Sequence, residues 1–280
     1  MRVIVAEVTG MCFGVRDALK RIASVADPGR MTIHGELVHN EVVLDRLGAR
    51  GFAMVGEAER GGVPATPEVL ITAHGISDRE RRRLEGAGKR LVDTTCPLVT
   101  RVHRAAQALV AEGFYILVIG KPGHVEVRGI VEDLADCDVI ATAEDVRTYP
   151  SDRLGVVCQT TAADRTVRAI RDAIEEHNPW AEVRFVDTVC HPTRDHQRAM
   201  EDLLGRVDAM VVVGGRNSNN TRELVALSRA RGIPALHVQG PADLDPGFFA
   251  GCEAVGLTAG TSTLDETIED VKRALIKLKH

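Results

Sequence analysis

The sequence predicts an α/β fold of three small units with mostly parallel sheets, arranged around a pseudo-threefold axis with a central cavity in a trefoil-like manner. Short apolar runs rich in Val and Ile alternate with amphipathic helical segments, which is typical of parallel sheets with crossover helices. In addition, the motif Asp-Thr-X-Cys occurs twice, at 93–96 and at 187–190, and Cys12 lies in a similar context near the start. This repetition predicts related units and not a single large sheet.

Eight apolar runs predict the strands of these units. In chain order they read RVIVAEV, MTIHG, EVLITAHG, YILVIGK, LGVVCQT, EVRFVDT, AMVVVGG and AVGLTAG. Ligands of open α/β sheets bind beyond the carboxyl ends of the strands. We therefore expect the functional residues at the points where these runs stop.

Amphipathic segments between the runs predict the helices. They read NEVVLDRLGARG, RVHRAAQALVAEG, DRTVRAIRDAIEEH, TRELVALSRARG and DETIEDVKRALIKLK. The basic run DRERRRLEGAGKR at 78–90 is interleaved with acidic residues, which favours a solvated helix face over a docking patch for an acidic partner.

Three cysteines define a repeat of roughly 90 residues, because similar polar residues follow each of them at similar distances. Cys12 is followed by His39 and His74, Cys96 by His124 and Thr160, and Cys190 by Asn219 and Ser262. The predicted units are 13–95, 96–186 and 187–280, with an N-terminal strand at 1–12 that joins the third unit.

Composition excludes several classes of protein. The chain of 280 residues is 44% hydrophobic and 27% charged, as in ordinary globular proteins. A net charge of −5 and an aromatic share of 3% argue against a nucleic-acid partner. No apolar run approaches the ~20 residues of a membrane span, and the first run is too short for a signal peptide. We therefore expect a cytoplasmic protein with no membrane partner, whose six cysteines serve metal binding or catalysis and not disulfides.

The chemistry of three converging thiolates differs from that of isolated cysteines. A cysteine before a helix is stabilised as a thiolate by backbone N–H groups and the helix dipole. Zinc sites usually use local Cys-X-X-Cys pairs, which this sequence lacks, and a cubane iron–sulfur cluster normally has four cysteines. With three, one iron would have no protein ligand and could act as a Lewis acid. Cys137, Cys158 and Cys252 lack the repeated context, and we interpret them as small buried residues.

Polar residues in the loops after the apolar runs indicate a phosphate or diphosphate ligand. They are His39, His74, His124, Thr160, Ser218, Asn219, Asn220 and Ser262. The loop GGRNSNN lacks the Gly-Lys-Ser/Thr ending of a P-loop, so a nucleoside triphosphate is not expected. Glu126, two residues after His124, is a candidate proton donor, and the alternative is a surface glutamate at a strand end.

Nine segments of the sequence resemble one known family. They read GMCFGV, LVHNEVVLDRL, TAHG, DTTCPLVTRVH, GHVEV, QTT, DTVC, GGRNSNNT and TAGTS, and they occur in the same order as in that family. The sequence is similar to the 4-hydroxy-3-methylbut-2-enyl diphosphate reductases, the LytB/IspH family of the non-mevalonate isoprenoid pathway. The similar segments extend from Cys12 to Ser262, nearly the whole chain.

This resemblance implies a set of roles. Cys12, Cys96 and Cys190 would hold a [4Fe–4S] cluster with one open iron, and Glu126 would donate protons with help from Thr160. The diphosphate ligands would be His39, His74, His124, Ser218, Asn220 and Ser262. The reaction would be a two-electron, two-proton reductive dehydroxylation that yields isopentenyl and dimethylallyl diphosphate. A ferredoxin or flavodoxin would supply the electrons.

The sequence departs from the family pattern at a few positions. Pro192 precedes Thr193 and His196 precedes Gln197, where Ala-Thr and Arg-Gln are usual. Asn219 replaces a serine that usually contacts phosphate, and its amide can still donate a hydrogen bond. Thr261 and Leu264 replace the usual Ala and Pro.

Three alternatives remain at this stage. The departures are compatible with a paralogue that uses a shifted allylic diphosphate. A non-redox [4Fe–4S] dehydratase or condensing enzyme of the quinolinate-synthase type also places one cysteine in each of three units. A cluster-bearing sensor or carrier would bind no diphosphate and would leave the polar loop residues unexplained.

Overall fold

Three four-stranded sheets, in which every neighbouring pair of strands is parallel, form the framework of the protein. They are seen in a computed structural model, which describes residues 1–278. The prediction of three α/β units with parallel sheets is therefore confirmed. None of the helices in residues 1–278 has the length and apolar character needed to cross a lipid bilayer.

The three sheets share one strand order. The first sheet has the order β3-β2-β4-β5 and consists of β2 (Met31–His34), β3 (Ala53–Val55), β4 (Glu68–Ile71) and β5 (Arg90–Asp93). The second has the order β7-β6-β8-β9 and consists of β6 (Tyr115–Ile119), β7 (Cys137–Ile140), β8 (Arg153–Cys158) and β9 (Glu182–Phe185). The third has the order β11-β10-β12-β1 and consists of β1 (Arg2–Val5), β10 (Ala209–Val213), β11 (Ala235–Val238) and β12 (Ala254–Ala259). In the third sheet, the N-terminal strand takes the place that the fourth strand takes in the other two.

Helices connect most of the strands, as parallel pairing requires. Within residues 1–278 the α-helices are α1 (Phe13–Ala23), α2 (Glu41–Ala49), α3 (Asp78–Gly86), α4 (Pro97–Ala111), α5 (Val125–Val131), α6 (Asp164–His177), α7 (His191–Leu204), α8 (Asn219–Ala230) and α9 (Asp265–Lys277). Helix α6 illustrates why they form: Val167, Ile170 and Ile174 recur at helical spacing and are buried, while its other face is charged.

The chain falls into two compact units. The terminal unit comprises Met1–Arg16, His39–Val42 and His191–His280 and contains the third sheet. The central unit comprises Asp17–Val38 and Val43–Cys190 and contains the first and second sheets. The predicted boundaries at 13–95, 96–186 and 187–280 stay a prediction.

Apolar side chains on the inner strands make up the core of each unit. All five residues of β10 are buried, and so are all six of β12 beside it. Each fully buried Val, Leu or Ile side chain stabilises the fold by about 1.5–3 kcal/mol. This packing makes the strand ends rigid starting points for the loops that follow them.

Candidate active site

The candidate residues follow the carboxyl ends of strands, as the sequence predicted. His39 lies in the loop after β2, His74 after β4, Cys96 after β5, His124 after β6, Thr160 after β8, Cys190 after β9, Ser218 after β10, Ser262 after β12 and Cys12 after β1. Glu126 belongs to α5, and Asn219 and Asn220 belong to α8, the helices that follow β6 and β10.

The three cysteines share one backbone hydrogen bond, which repeats in all three sheets. Each cysteine comes after the fourth strand of its sheet and donates its N–H to the loop after the third strand. The bonds run from Cys12 N to Thr261 O (3.0 Å), from Cys96 N to Ala73 O (3.0 Å) and from Cys190 N to Thr160 O (2.9 Å). The structure thus joins each cysteine to a loop of its own sheet, whereas the repeat in the sequence matched it with polar residues further along the chain. The reason is that the third and fourth strands are parallel neighbours, so the segments after them lie side by side.

The local chemistry of the cysteines fits thiolate ligands of an iron–sulfur cluster. None of the three forms a disulfide, all three are partly buried, and each comes directly before a helix. Burial raises the pKa of the Cys12 thiol, while hydrogen bonds from the backbone N–H groups of Val15 and Gly14 act in the opposite direction. Such N–H bonds to sulfur stabilise metal-bound thiolates. Within residues 1–278, no three His, Cys, Asp or Glu side chains are grouped as ligands of a single metal ion, so the fit rests on the cysteines themselves.

In the central unit, Glu126 and Thr160 form a buried pair. Both residues are buried, with 2% and 5% of their surface exposed. The Thr160 N–H donates to Oε1 of Glu126 at 2.6 Å, and the Thr160 hydroxyl donates to Oε2 at 2.8 Å. Since a buried carboxylate is costly without hydrogen bonds, this double contact fixes the side chain of Glu126.

Two imidazoles of the central unit pack against each other, and one of them contacts Glu126. His124 precedes α5, and its Nδ1 accepts a hydrogen bond from the Glu126 N–H at 3.2 Å. In the neutral ring the proton is therefore on Nε2, which can donate to an anion. The ring of His74 packs edge-on against that of His124, with 5.9 Å between the ring centroids.

In the terminal unit, the segment that contains His39 is bonded to the loop that contains Ser262. The Ser262 hydroxyl donates to the carbonyl oxygen of His39 at 3.2 Å, and the side-chain amide of Asn40 donates to the carbonyl oxygen of Ser262 at 2.8 Å. All three residues are buried. These reciprocal bonds hold two predicted diphosphate ligands in one fixed arrangement.

The start of α8, also in the terminal unit, carries three of the predicted diphosphate ligands: Ser218, Asn219 and Asn220. Ser218 caps the helix by accepting the N–H of Thr221, and Oδ1 of Asn220 accepts the N–H of Thr261 at 3.1 Å. Among residues 1–278, the amide nitrogen of Asn220 is buried without a hydrogen-bond partner. A buried donor of this kind indicates a ligand oxygen, because leaving it unpaired costs free energy. Asn219 is partly exposed in the first turn of the same helix.

Comparison with known proteins places the chain in a family. Residues 3–276 match the family described as LytB protein. The 4-hydroxy-3-methylbut-2-enyl diphosphate reductase of Anaeromyxobacter sp. (strain Fw109-5) is 35% identical over 274 residues, which cover 97% of this chain and 95% of that protein. The reductase of the same name from Aquifex aeolicus (strain VF5) is 33% identical, covering 96% and 94%.

The chain belongs to the LytB family.

Solved structures of similar proteins agree with this assignment. The E-1-hydroxy-2-methyl-but-2-enyl-4-diphosphate reductase from Plasmodium falciparum matches with a TM-score of 0.90 at 25% identity, covering 99% of this chain and 88% of that one. A second structure, described as (E)-4-hydroxy-3-methyl-but-2-enyl diphosphate reductase, the terminal enzyme of the non-mevalonate pathway, matches at 31% identity with a TM-score of 0.66.

Two residues of this LytB protein support the site and were not among the sequence predictions. Asn40 holds the Ser262 loop, and its position just before α2 is the signal that could have found it, since Asn is a preferred residue at helix starts. Gly215 allows the His39 backbone to come close: a Cβ there would lie 2.2 Å from the His39 carbonyl oxygen. No local sequence pattern predicts that long-range approach.

Proposed function

We propose that this protein reduces 4-hydroxy-3-methylbut-2-enyl diphosphate to isopentenyl and dimethylallyl diphosphate. The names of its relatives support the substrate and the reaction class. One observation in the site carries the proposal: Thr160 holds both oxygens of the Glu126 carboxylate, and its carbonyl oxygen accepts the N–H of Cys190. A buried acid is thus linked through one residue to a predicted cluster ligand.

The proposed cofactor is a [4Fe–4S] cluster with Cys12, Cys96 and Cys190 as its ligands. When bound, such a cluster supplies electrons one at a time and offers one iron as a Lewis acid to an alcohol oxygen. The chain contributes thiols at three helix starts, where N–H groups favour the thiolate. Each of these cysteines is fixed by the same backbone hydrogen bond, which supports a common role.

The diphosphate is the group that the polar loops recognise in this proposal. In the central unit, His74 and His124 provide imidazole N–H groups. In the terminal unit, Asn220 provides a buried amide, and His39, Ser218, Asn219 and Ser262 provide an imidazole, hydroxyls and a further amide. Donors of this kind at strand ends and helix starts suit phosphate oxygens.

Glu126 and Thr160 deliver protons in this proposal. The overall reaction takes up two electrons and two protons, breaks the carbon–oxygen bond of the allylic alcohol and releases water. Because the Thr160 hydroxyl both donates and accepts hydrogen bonds, a proton on Oε2 of Glu126 can pass to it as it donates its own proton onwards. Protonation at either end of the allyl unit would give the two products.

Two further features belong to the same proposal. Electrons would come from a ferredoxin or a flavodoxin, which deliver them singly. The cytoplasmic location is supported by the six cysteines, since none of them forms a disulfide in the structure and reducing compartments keep cysteines as thiols.

A turnover assay tests the function. Anaerobically prepared protein with reconstituted iron and sulfide is mixed with the allylic diphosphate, with and without reduced methyl viologen. We expect five-carbon diphosphate products only with the reductant, and viologen oxidation in proportion to product. Turnover without reductant would indicate non-redox chemistry, and an inert substrate would contradict the proposal altogether.

A further inference from the structure

A buried histidine of α7 reaches the loop that precedes Cys12. His196 has 3% of its surface exposed. Its Nε2 lies 3.0 Å from the carbonyl oxygen of Gly10, two residues before Cys12. Because a carbonyl oxygen only accepts hydrogen bonds, the imidazole donates to Gly10 in the tautomer that carries its proton on Nε2. The contact joins residues that are 186 positions apart, so it is a tertiary constraint on this loop.

The orientation of the His196 ring is fixed within its own helix. Its Nδ1 lies 2.8 Å from the carbonyl oxygen of Pro192, one turn earlier in α7. This contact and the burial of the ring leave Nε2 directed at Gly10. The imidazole is therefore a defined donor and not a mobile side chain.

Three consecutive residues of the Cys12 loop are each held by a hydrogen bond from or to another segment. Gly10 has φ +83°, and a Cβ there would lie 2.9 Å from Oδ1 of Asp265, so the residue needs the freedom of glycine. In the next two residues, the carbonyl oxygen of Met11 accepts a hydrogen bond from Nε of Arg16 at 3.0 Å, and the N–H of Cys12 donates to the carbonyl oxygen of Thr261. Gly10 is conformationally the freest of these positions, and His196 holds its carbonyl group.

We infer that His196 is a positioning residue for Cys12. By holding the carbonyl oxygen of Gly10, His196 fixes the position of the Cys12 thiol. The inference rests on the proposed function insofar as Cys12 is a cluster ligand. It goes beyond that function because His196 is none of the predicted cluster, diphosphate or proton-donor residues. Loss of the bond would let the Cys12 loop open more often, without any change in the cysteine itself.

Two amide variants separate the hydrogen bond from the packing. In H196Q, the amide nitrogen occupies nearly the place of Nε2 and can still donate to Gly10. In H196N, the shorter side chain can reach only the place of Nδ1, so the bond to Gly10 is lost while a polar group remains. The matched control is H237N, since Nε2 of His237 makes a comparable bond, of 2.9 Å, to the carbonyl oxygen of Gly214 in the same unit.

The first measurement is thiol alkylation in the cluster-free protein, followed at each cysteine by mass spectrometry. In H196N, we expect the rate at Cys12 to rise about three- to tenfold, the factor for one net hydrogen bond, with no change at Cys96. H196Q and H237N should leave both rates as in the parent protein. An unchanged Cys12 rate in H196N, or equal rises at Cys12 and Cys96, would overturn the inference. If H196N does not fold, a raised Cys12 rate in folded H196Q would also overturn it.

The second measurement is the electron paramagnetic resonance spectrum of the reduced, reconstituted protein. We expect a shifted signal and a several-fold faster loss of iron to a chelator in H196N, and parent-like behaviour in H196Q. A parent-like spectrum and iron loss in H196N would contradict the role. Failure of the proposed function would be distinguishable from failure of this inference. If the parent protein bound no cluster, the alkylation rates of Cys12 and Cys96 in the parent and the variants would still test the role of His196.

Discussion

At the residue scale, Thr160 shows how few contacts are needed to connect the predicted functional groups. Its N–H and hydroxyl bind the two oxygens of Glu126, and its carbonyl oxygen binds the N–H of Cys190. A buried carboxylate with defined donors has a fixed position, so it can hold or release a proton at one place. The same residue therefore explains both the orientation of the acid and the anchoring of the cysteine loop.

Replacement of Glu126 by Gln should abolish proton delivery while the shape of the site remains. We expect kcat to fall by a factor of about 10²–10⁴, the usual contribution of general acid catalysis, with little change in KM or cluster content. Steady-state kinetics with reduced methyl viologen checks this. The control is E132Q, because Glu132 lies just beyond α5 and bonds the Ser77 hydroxyl instead. Full activity of E126Q would refute the assignment of the proton donor.

Replacement of Cys96 by Ser should remove one cluster ligand. We expect a several-fold loss of iron and sulfide after reconstitution, because a hydroxyl is a poor substitute for a thiolate. Iron and sulfide analysis measures the effect directly. C252S is the matched control, since Cys252 is also a partly buried free thiol but packs against the core around β12. Equal metal contents in the two variants would contradict the role of Cys96.

At the element scale, the same strand order in three sheets explains why the site residues recur. In the spatial order of every sheet, the second, third and fourth strands are followed by segments that carry site residues, and the first strand, at one edge, is not. The bond from each cysteine to the neighbouring loop follows from the parallel pairing of the third and fourth strands. Repetition of one arrangement thus provides three comparable anchoring points.

Gly215, in the loop between β10 and α8, offers a test at this scale. A Cβ at this position would lie 2.2 Å from the carbonyl oxygen of His39, so G215A must displace that backbone. Overpacking of this kind costs about 1–3 kcal/mol, and we expect KM for the diphosphate to rise about tenfold or more. G205A is the control, because a Cβ at Gly205 would meet nothing within 4 Å. A KM in G215A equal to that in G205A would show that the His39 segment does not bind substrate.

At the scale of the whole molecule, the sequence predicted the inner strands much better than the edge strands. The six inner strands were all anticipated, because burial on both faces requires continuous apolar runs such as YILVI in β6. The strands β3, β5, β7 and β11 were missed, and all four lie at sheet edges, where short and partly exposed strands carry little apolar signal. Helix α5 was also missed, since its seven residues are too few to show a helical period.

The residues of the candidate site also fall into two groups, those that the sequence predicted and those that only the structure showed. The cysteines, the histidines and Glu126 could be proposed from the sequence because their chemistry is recognisable by residue type. Contacts between distant segments could not be predicted: His196 with Gly10 and Asn40 with Ser262 depend on the folded chain. The sequence does not show which distant residues come into contact after folding, so the residues that support the site were found only in the structure.

One buried and one half-buried histidine of the central unit, His34 and His103, predict a loss of stability in acid. Burial lowers the pKa of His34, helped by Arg60, and burial likewise lowers the pKa of His103. Between the folded pKa and the ordinary value of about 6.5, the unfolded chain binds more protons, so stability falls as the pH drops below that value. Denaturant unfolding at several pH values should show this decline. It should be smaller in H103Q and unchanged in the control H177Q, since His177 is exposed at the end of α6. An equal decline in H103Q and the parent protein would exclude His103 as a cause.

The central claim is that three cysteines, each after the fourth strand of its sheet, hold one iron–sulfur cluster with an open iron. Mössbauer spectroscopy of protein reconstituted anaerobically with ⁵⁷Fe tests this most directly. The account predicts about four irons per chain in a cubane cluster, one of them distinct from the other three because it has no cysteine ligand. It further predicts that the distinct iron changes its signal when the allylic diphosphate is added. Four equivalent irons, or iron that binds without sulfide, would contradict it.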